Sequence, residues 1–277
     1  MRRPWLVGLG LSGMLVVTIG AAVSVGSTAT AWTDVYRVLA HRLLGLGVPP
    51  DPTLDRIVWR LRLPRAVLAC VVGGGLSIIG VAMQTLVRNP LAEPYILGIS
   101  SGASAGASLF YLGFVPPLLS KAFSMPVAAF VGGLISISIA VGLGTMLVLA
   151  RPLDAMLVGE EPAQSLGMPV EALKRGLIVL ATLVTGALVA VSGAIGFVGL
   201  IVPHAVRLLV GVPHRRLVPL SFAGGAIFLC WADLAARTLL PGQELPVGIL
   251  TALCGVPFFL FLLRQRAYQF GGVNREA

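Results

Sequence analysis

The run Ala66-Val-Leu-Ala-Cys-Val-Val-Gly-Gly-Gly-Leu-Ser-Ile-Ile-Gly-Val-Ala-Met-Gln-Thr-Leu86 carries no charged side chain along its whole length. About 20 apolar residues are enough for a helix to span the hydrocarbon core of a bilayer. Similar segments bring the total to about eight: Trp5–Val25, Tyr95–Val115, Pro126–Ala150, Gly176–Ile195, Phe197–Val210, Leu217–Leu239 and Leu245–Leu263. We therefore predict an all-α, polytopic membrane protein whose residues 1–277 form one transmembrane domain.

The composition excludes a soluble globular domain. Hydrophobic residues make up 57% of the 277 residues and charged residues only 11%, with a mean hydropathy of +0.94. A soluble surface needs more charge than this, and the alternating segments of about ten residues that form β-barrels are missing from the sequence. The net charge of +9 is distributed over the ends of the spans rather than gathered in one patch. This distribution is typical of the positive-inside rule and argues against nucleic-acid binding.

No catalytic or metal-binding pattern occurs in the sequence. The cysteines lie singly in apolar runs and the three histidines are scattered, so the spacing suits small buried side chains rather than metal ligands. Phosphate-binding loops of the G-x-x-x-x-G-K-[ST] type, nucleophile elbows and His-Glu-x-x-His pairs do not occur. We therefore predict a non-enzymatic protein without a cofactor, which does not hydrolyse ATP itself.

The basic residues predict the orientation in the membrane. Arg2-Arg3, Lys174-Arg175 and Arg264-Gln-Arg266 mark cytoplasmic ends of spans, which with an even number of spans places both termini in the cytoplasm. The first apolar segment is interpreted as an uncleaved helix, with a cleaved signal peptide as the alternative. The segment Ser27–Arg65 then forms an external loop with an amphipathic part. It is rich in arginine against the rule, for which an acidic external partner is one explanation.

The segment Phe197–Val210 is too short to cross a bilayer comfortably. Glycines interrupt the chain just before it, and Pro203 lies near its end. Broken helices at membrane depth are tolerated only where they are buried in protein or line a cavity. This pattern therefore marks an internal position, and Pro203-His204 is expected at the inner face.

Three arginines lie where spans are predicted to end on the outside. Arg62 and Arg65 flank Leu-Pro at the start of the Ala66 span, and Arg237 ends a later one. Such side chains anchor helices among lipid headgroups. The alternative is docking, because guanidinium groups bind the carboxylates of a soluble partner in bidentate fashion. Asp233 lies one helical turn before Arg237, which predicts a local ion pair.

Two cytoplasmic connections have their own signatures. The residues Gly159-Glu-Glu-Pro-Ala-Gln-Ser-Leu-Gly167 predict a short helix, because acidic residues and proline suit a first turn and glycine suits the end. It lies within a cytoplasmic loop over residues 151–175. Gln84 precedes Asn89-Pro-Leu-Ala-Glu-Pro94, which predicts a tight turn. Each segment could be a plain connector.

Together these motifs resemble the permease family of ABC importers for iron-siderophores, haem and cobalamin. The resemblance implies a fold of ten helices, a dimer or a pair of homologous permeases around a central path, separate cytoplasmic ATPase subunits, and a periplasmic or lipid-anchored substrate-binding protein. It implies the bacterial inner membrane as the location. Arg62, Arg65 and Arg237 match the residues that receive the binding protein. Gly159, Glu160, Glu161, Ala163, Ser165, Leu166 and Gly167 match the ATPase-coupling loop. Gln84, Asn89, Pro90, Pro203 and His204 match an inner turn or gate.

The chain departs from this family in length. The resemblance is continuous from Arg62 to about Ile137 and resumes near Val148. About two internal transmembrane helices have no counterpart, so that Pro126–Ala150 resembles a fusion of two family helices. Two alternatives to a working permease follow. One is a transport-deficient scaffold that only binds the ATPase. The other is an ion-coupled secondary transporter, against which the scarcity of ionisable residues within the spans argues.

Overall fold

The computed structural model describes residues 4–26, 30–97, 140–240 and 242–271. Within these ranges the chain forms helices, turns and loops and no β-strand. The helices are α1 (Pro4–Ser24), α2 (Trp32–Leu44), α3 (Pro52–Leu86), α4 (Ala140–Val148), α5 (Ala150–Val158), α6 (Glu160–Ser165), α7 (Val170–Ser192), α8 (Val198–Val210), α9 (His214–Thr238) and α10 (Val247–Gly271). The all-α fold predicted from the sequence is confirmed.

Five helices in the described ranges are long and apolar enough to cross a membrane, namely α1, α3, α7, α9 and α10, and the α4–α5 pair adds a sixth if it is one span. They coincide with five of the predicted spans, and α8 coincides with the predicted short segment. The predicted span Tyr95–Val115 is described only as far as Leu97, and its remainder lies outside the described residues. The part of the predicted span Pro126–Ala150 before residue 140 also lies outside them. The described remainder bends by 57° between α4 and α5.

Helix α3 begins earlier than predicted. Asp51 accepts hydrogen bonds from the backbone N–H groups of Thr53 and Leu54, and Pro52 occupies the first turn. The helix then continues from the arginine-rich stretch into the apolar part. Between Arg56 and Arg62 it widens into π-helical turns, with Leu63 N–H bonded to Val58 O. The next residue is Pro64, which has no N–H to continue the i→i−4 ladder.

Helix α3 is the centre of the bundle. Most of its apolar window is buried, whereas α1 and α10 leave most of theirs exposed, as expected for helices that face lipid. It packs against α9, α8, α7 and α1. Two glycine pairs bring backbones together: Gly73 faces Gly225 of α9, and Gly80 faces Gly199 of α8. Small residues at such crossings allow close packing where no hydrophobic effect drives helices together.

The bundle has two ends that matter for function. We call the end holding the start of the apolar part of α3 and the last turns of α1 and α9 the Arg65 end. The opposite end, with the last turn of α3, the first turn of α9 and the short helix α6, is the Glu160 end. Helix α2 lies at the Arg65 end, where Arg42 binds Asp55 in bidentate fashion at 2.9 and 2.6 Å. Part of the arginine-rich stretch is therefore neutralised within the chain.

Candidate functional site

Arg62 and Arg237 cap the C-terminal end of α1. The last carbonyl groups of a helix have no intrahelical donors, and a cation there also complements the helix dipole. Nη1 of Arg62 donates to Ser24 O at 2.8 Å and to Thr30 Oγ1 at 2.7 Å. Nη2 of Arg237 donates to Ala22 O at 2.7 Å. Both side chains are about 5% exposed, so their guanidinium groups are committed to the fold of the first helix.

Arg65 differs from these two because it remains partly accessible. Its side chain is 37% exposed, and its Nε and Nη2 atoms each lie 2.9 Å from Oδ1 of Asp233, which is 8% exposed. Its Nη1 atom donates to both carboxylate oxygens of Glu244, at 3.1 and 2.9 Å. The predicted Asp233–Arg237 pair is present, with Oδ2 and Nε 3.4 Å apart. The structure thus brings Arg62, Arg65 and Arg237 to one end of the bundle.

The break between α7 and α8 is held by side chains from the segment that follows α3. Gly193 and Phe197 have φ angles of +73° and +68°, which end one helix and begin the next. The Tyr95 hydroxyl donates to Ile195 O at 2.5 Å and accepts from Ile195 N–H at 2.8 Å. The Glu93 carboxylate accepts from Phe197 N–H. The unwound backbone is therefore satisfied internally, as a helix break within a membrane protein requires.

The residues predicted for the inner turn or gate divide into two places. Gln84 is buried, and its amide donates to Gly199 O and Leu200 O at 3.3 Å, so it ties α3 to the start of α8. Asn89 accepts from Leu91 N–H at 3.0 Å and stabilises the predicted tight turn at Pro90. Pro203 and His204 lie inside α8, where the His204 ring meets Phe258 of α10 edge to face, with the ring centroids 5.7 Å apart. Their role as a gate stays a prediction.

Helix α6 forms at the predicted position and has an inward and an outward side. Gly159 begins it with φ +154° and Gly167 follows it with φ +80°. Ala163 is completely buried. Glu160 binds Arg88 at 3.2 Å and Lys174 at 2.5 Å, and the Lys174 ammonium lowers the pKa of this carboxyl group below its usual range.

The outward side of α6 is formed by the other residues of the predicted coupling set. Glu161 and Ser165 are exposed, and Leu166 at the end of the helix is 77% exposed. The role of these residues in contacting an ATPase stays a prediction.

A buried histidine connects α5, the helix that directly precedes α6, to the bundle. His214, at the first turn of α9, is completely buried. Its Nδ1 atom lies 2.6 Å from Oδ1 of Asp154 in α5, and its Nε2 atom lies 2.8 Å from Oγ1 of Thr85 in α3. The same Asp154 oxygen accepts from the backbone N–H of His214 at 2.9 Å. These contacts connect three helices at the Glu160 end.

Sequence reasoning missed several of these residues. Glu93, Tyr95, Asp154, His214 and Glu244 were not singled out for a role, because each bonds to a group at least 60 positions away in the chain. One signal was available for the first two, since they lie in a polar turn that directly follows a buried span. The other three carried no local pattern.

The chain is similar to known transport proteins over nearly its whole length. The model of the FecCD transport family matches residues 14–145 and 135–265. An uncharacterized ABC transporter permease protein of Bacillus subtilis is 38% identical, over 91% of this chain and 91% of the relative. A hemin transport system permease protein of Yersinia pestis is 37% identical, over 77% of this chain and 85% of the relative. A solved metal-chelate type ABC transporter in an inward-facing conformation matches with a TM-score of 0.73 and 27% identity, over 95% of this chain and 100% of that one.

The same comparisons bear on the predicted shortening. The alignment with the Bacillus protein spans 322 positions but includes only 91% of the 277 residues of this chain, so about 70 positions of the relative face gaps. That length is enough for about two membrane spans with their connections. The two matches of the family model meet at residues 135–145, within the segment predicted to be a fusion. Both observations support the loss of internal helices.

Proposed function

We infer that this chain, which belongs to the FecCD transport family, is a membrane-spanning permease subunit that imports a metal chelate, haem or a corrinoid with energy from a separate ATPase. The substrate class rests on relatives named for hemin, cobalamin and iron(3+)-hydroxamate import. The chain is a multi-pass membrane protein, and we place it in the bacterial inner membrane with both termini in the cytoplasm. No residue is assigned a covalent step.

The observation that carries this function is the anchoring of α6. A helix that transmits the closure of an ATPase must expose one side to that ATPase and be rigidly attached to the bundle on the other. The Glu160 carboxylate is bound to Arg88 after α3 and to Lys174 in α7. Asp154, one helix earlier, is bound to His214 in α9. A movement of α6 caused by the ATPase would therefore be transmitted through these contacts to α3, α7 and α9.

The ATPase contact itself is assigned to the outward side of α6. Glu161, Ser165, Leu166 and Gly167 are the exposed members of the predicted coupling set, whereas Glu160 and Ala163 hold the helix in place. Gly159 and Gly167 allow the chain to enter and leave the helix with positive φ angles. Two ATPase subunits and two permease subunits would form the complete transporter, since a path on a symmetry axis requires paired permeases.

The docking of a soluble substrate-binding protein is assigned to the Arg65 end. Of the three predicted arginines, Arg65 has the accessible guanidinium group, and it takes the direct role in our proposal. Arg62 and Arg237 would act through the fold, because they hold the end of α1 next to it.

The second candidate function is a scaffold that binds the ATPase without transporting a substrate. The observation in its favour is that about 70 positions of the Bacillus permease face gaps in this chain. Helices absent from one half of the bundle could leave the path across the membrane incomplete. Helix α6 and its anchors would still be present in such a protein.

Reconstituted uptake separates the two candidates. The chain is placed in proteoliposomes with a candidate partner ATPase and a candidate binding protein from the same organism, and labelled iron-siderophore, haem and cobalamin are tried in turn. A permease gives ATP-dependent uptake of one ligand. ATPase association without uptake of any ligand would support the scaffold and contradict transport.

A pair of variants tests the assignment of α6. Leu166→Ser should weaken ATPase association and lower uptake, because it removes the exposed apolar contact. Leu46→Ser is the matched control, since this leucine is 60% exposed but lies at the Arg65 end, and it should leave ATPase association unchanged. Equal association for both variants would contradict the proposed ATPase contact.

A further inference from the structure

The guanidinium group of Arg65 is shared between two carboxylates of very different accessibility. Asp233, 8% exposed, binds the Nε and Nη2 side of the fork, and Glu244, 54% exposed, binds the Nη1 side. Exposed ion pairs are weak because water and salt screen them, whereas buried partners hold their geometry. The Nε and Nη2 side of the guanidinium group is therefore held by a buried carboxylate, whereas the Nη1 side is bound by the solvent-exposed carboxylate of Glu244.

Charge around Arg65 favours the binding of an incoming carboxylate. Within this cluster, Arg62, Arg65 and Arg237 supply three positive charges, and Asp233 and Glu244 supply two negative ones. The guanidinium groups of Arg62 and Arg237 are occupied by carbonyl groups of α1. The Nη1 side of Arg65 is then the place where an incoming carboxylate can bind in bidentate fashion, and Glu244 is the group it must replace.

The position of Glu244 suits such an exchange. It belongs to the connection between α9 and α10, where Gly242 has φ +77° and Leu245 N–H is bonded to Ala236 O at 2.9 Å. The backbone beside Glu244 is thus attached to α9, while its side chain extends into solvent to reach Arg65. Asp233 stays bound to Nε and Nη2 during the exchange, so Arg65 is never left without a partner.

We propose that the Glu244 carboxylate keeps the Arg65 guanidinium group oriented in the absence of a partner. It competes with an acidic side chain of the binding protein for the Nη1 side of that group. The proposal rests on the docking role of Arg65 stated above. It makes Glu244 the residue that limits docking affinity. Release of the partner restores the internal ion pair.

The test measures the affinity of the binding protein used in the uptake assay for the chain in lipid nanodiscs at about 150 mM salt, by biolayer interferometry. Glu244→Gln keeps the size of the side chain but weakens the competitor, so the affinity should rise about two- to fivefold, as the weakness of exposed pairs implies. Asp34→Asn is the matched control. It removes one exposed negative charge at the same end, where Asp34 pairs with Arg37 rather than with Arg65, and should change the affinity less than twofold.

A double-mutant cycle separates competition from a general charge effect. Arg65→Gln should lower the affinity, and in that background Glu244→Gln should have no further effect. An unchanged or lower affinity for Glu244→Gln alone, with Arg65→Gln still weakening docking, would overturn the proposal and leave the docking role intact. Unchanged docking for Arg65→Gln would refute the docking role and the proposal with it. Thermal unfolding of each variant verifies that it is folded.

Discussion

Replacing Gly80 by alanine should separate α3 from α8. A Cβ atom at this position would lie 2.0 Å from Gly199 O, while ordinary contact begins near 3.4 Å, so one backbone must retreat by about 1.4 Å. Neither side can relieve the clash by changing a rotamer, because the opposing atom belongs to the backbone. The shift would also lengthen the hydrogen bonds from Gln84 to the first carbonyl groups of α8.

The expected cost is that of inserting a methyl group into a closely packed site, about 1–3 kcal/mol. Alanine itself favours a helix over glycine by about 1 kcal/mol, which offsets part of this cost. Gly13→Ala in α1 measures that offset alone, because no atom described by the structure lies within 4 Å of its Cβ position. The control should be neutral or slightly stabilising. The difference in the free energy of unfolding between the two variants then measures the clash between α3 and α8.

The assay is equilibrium unfolding of the purified chain in bicelles by increasing mole fractions of sodium dodecyl sulfate, followed by circular dichroism. Gly80→Ala should unfold at a clearly lower detergent fraction than Gly13→Ala. If the two variants unfold together, α3 and α8 are not in backbone contact, and the placement of the α7–α8 break beside α3 is wrong.

Three further predictions concern polar contacts. Arg237→Met should reduce the free energy of unfolding in the same assay by about 3 kcal/mol, because it leaves a nearly buried carboxylate with one partner fewer. Arg37→Gln, at an exposed pair, should change it by less than about 0.5 kcal/mol. Asp154→Asn should raise amide exchange in α5 and α6, measured by mass spectrometry, while exchange in α10 stays unchanged. Bonding to Lys174 lowers the pKa of Glu160 below 4.5, so this contact stabilises α6 above pH 4.5. Protection of α6 should decrease as the pH falls through the lower, folded-state pKa, and a decrease that already begins above pH 4.5 would contradict the lowered pKa.

The transmembrane helices could be predicted because their signal is local. A bilayer requires a continuous apolar run of a certain length, and Ala66–Leu86 satisfies this requirement without reference to any other part of the chain. The same holds for α6, since the acidic first turn and the final glycine are neighbours in sequence. The start of α3 was placed too late, because its polar first turns at the Arg65 end do not look like a span.

The candidate sites were only partly predictable. Arg62, Arg65 and Arg237 were all singled out, but the sequence assigned them one common role. The structure divides them into two helix caps and one accessible guanidinium group. That division depends on where α1 ends in space, and no local pattern around Arg62 or Arg237 contains this information.

The sequence by itself determined the membrane environment, the position of most helices and the presence of α6, because apolar length and turn chemistry act over a few neighbouring residues. Only the tertiary structure decided which polar groups meet. Arg65 and Glu244 are 179 positions apart, and Tyr95 and Ile195 are 100 apart. The reason is physical: a polar group inside an apolar bundle must find a partner, but the packing of helices determines which partner is within reach.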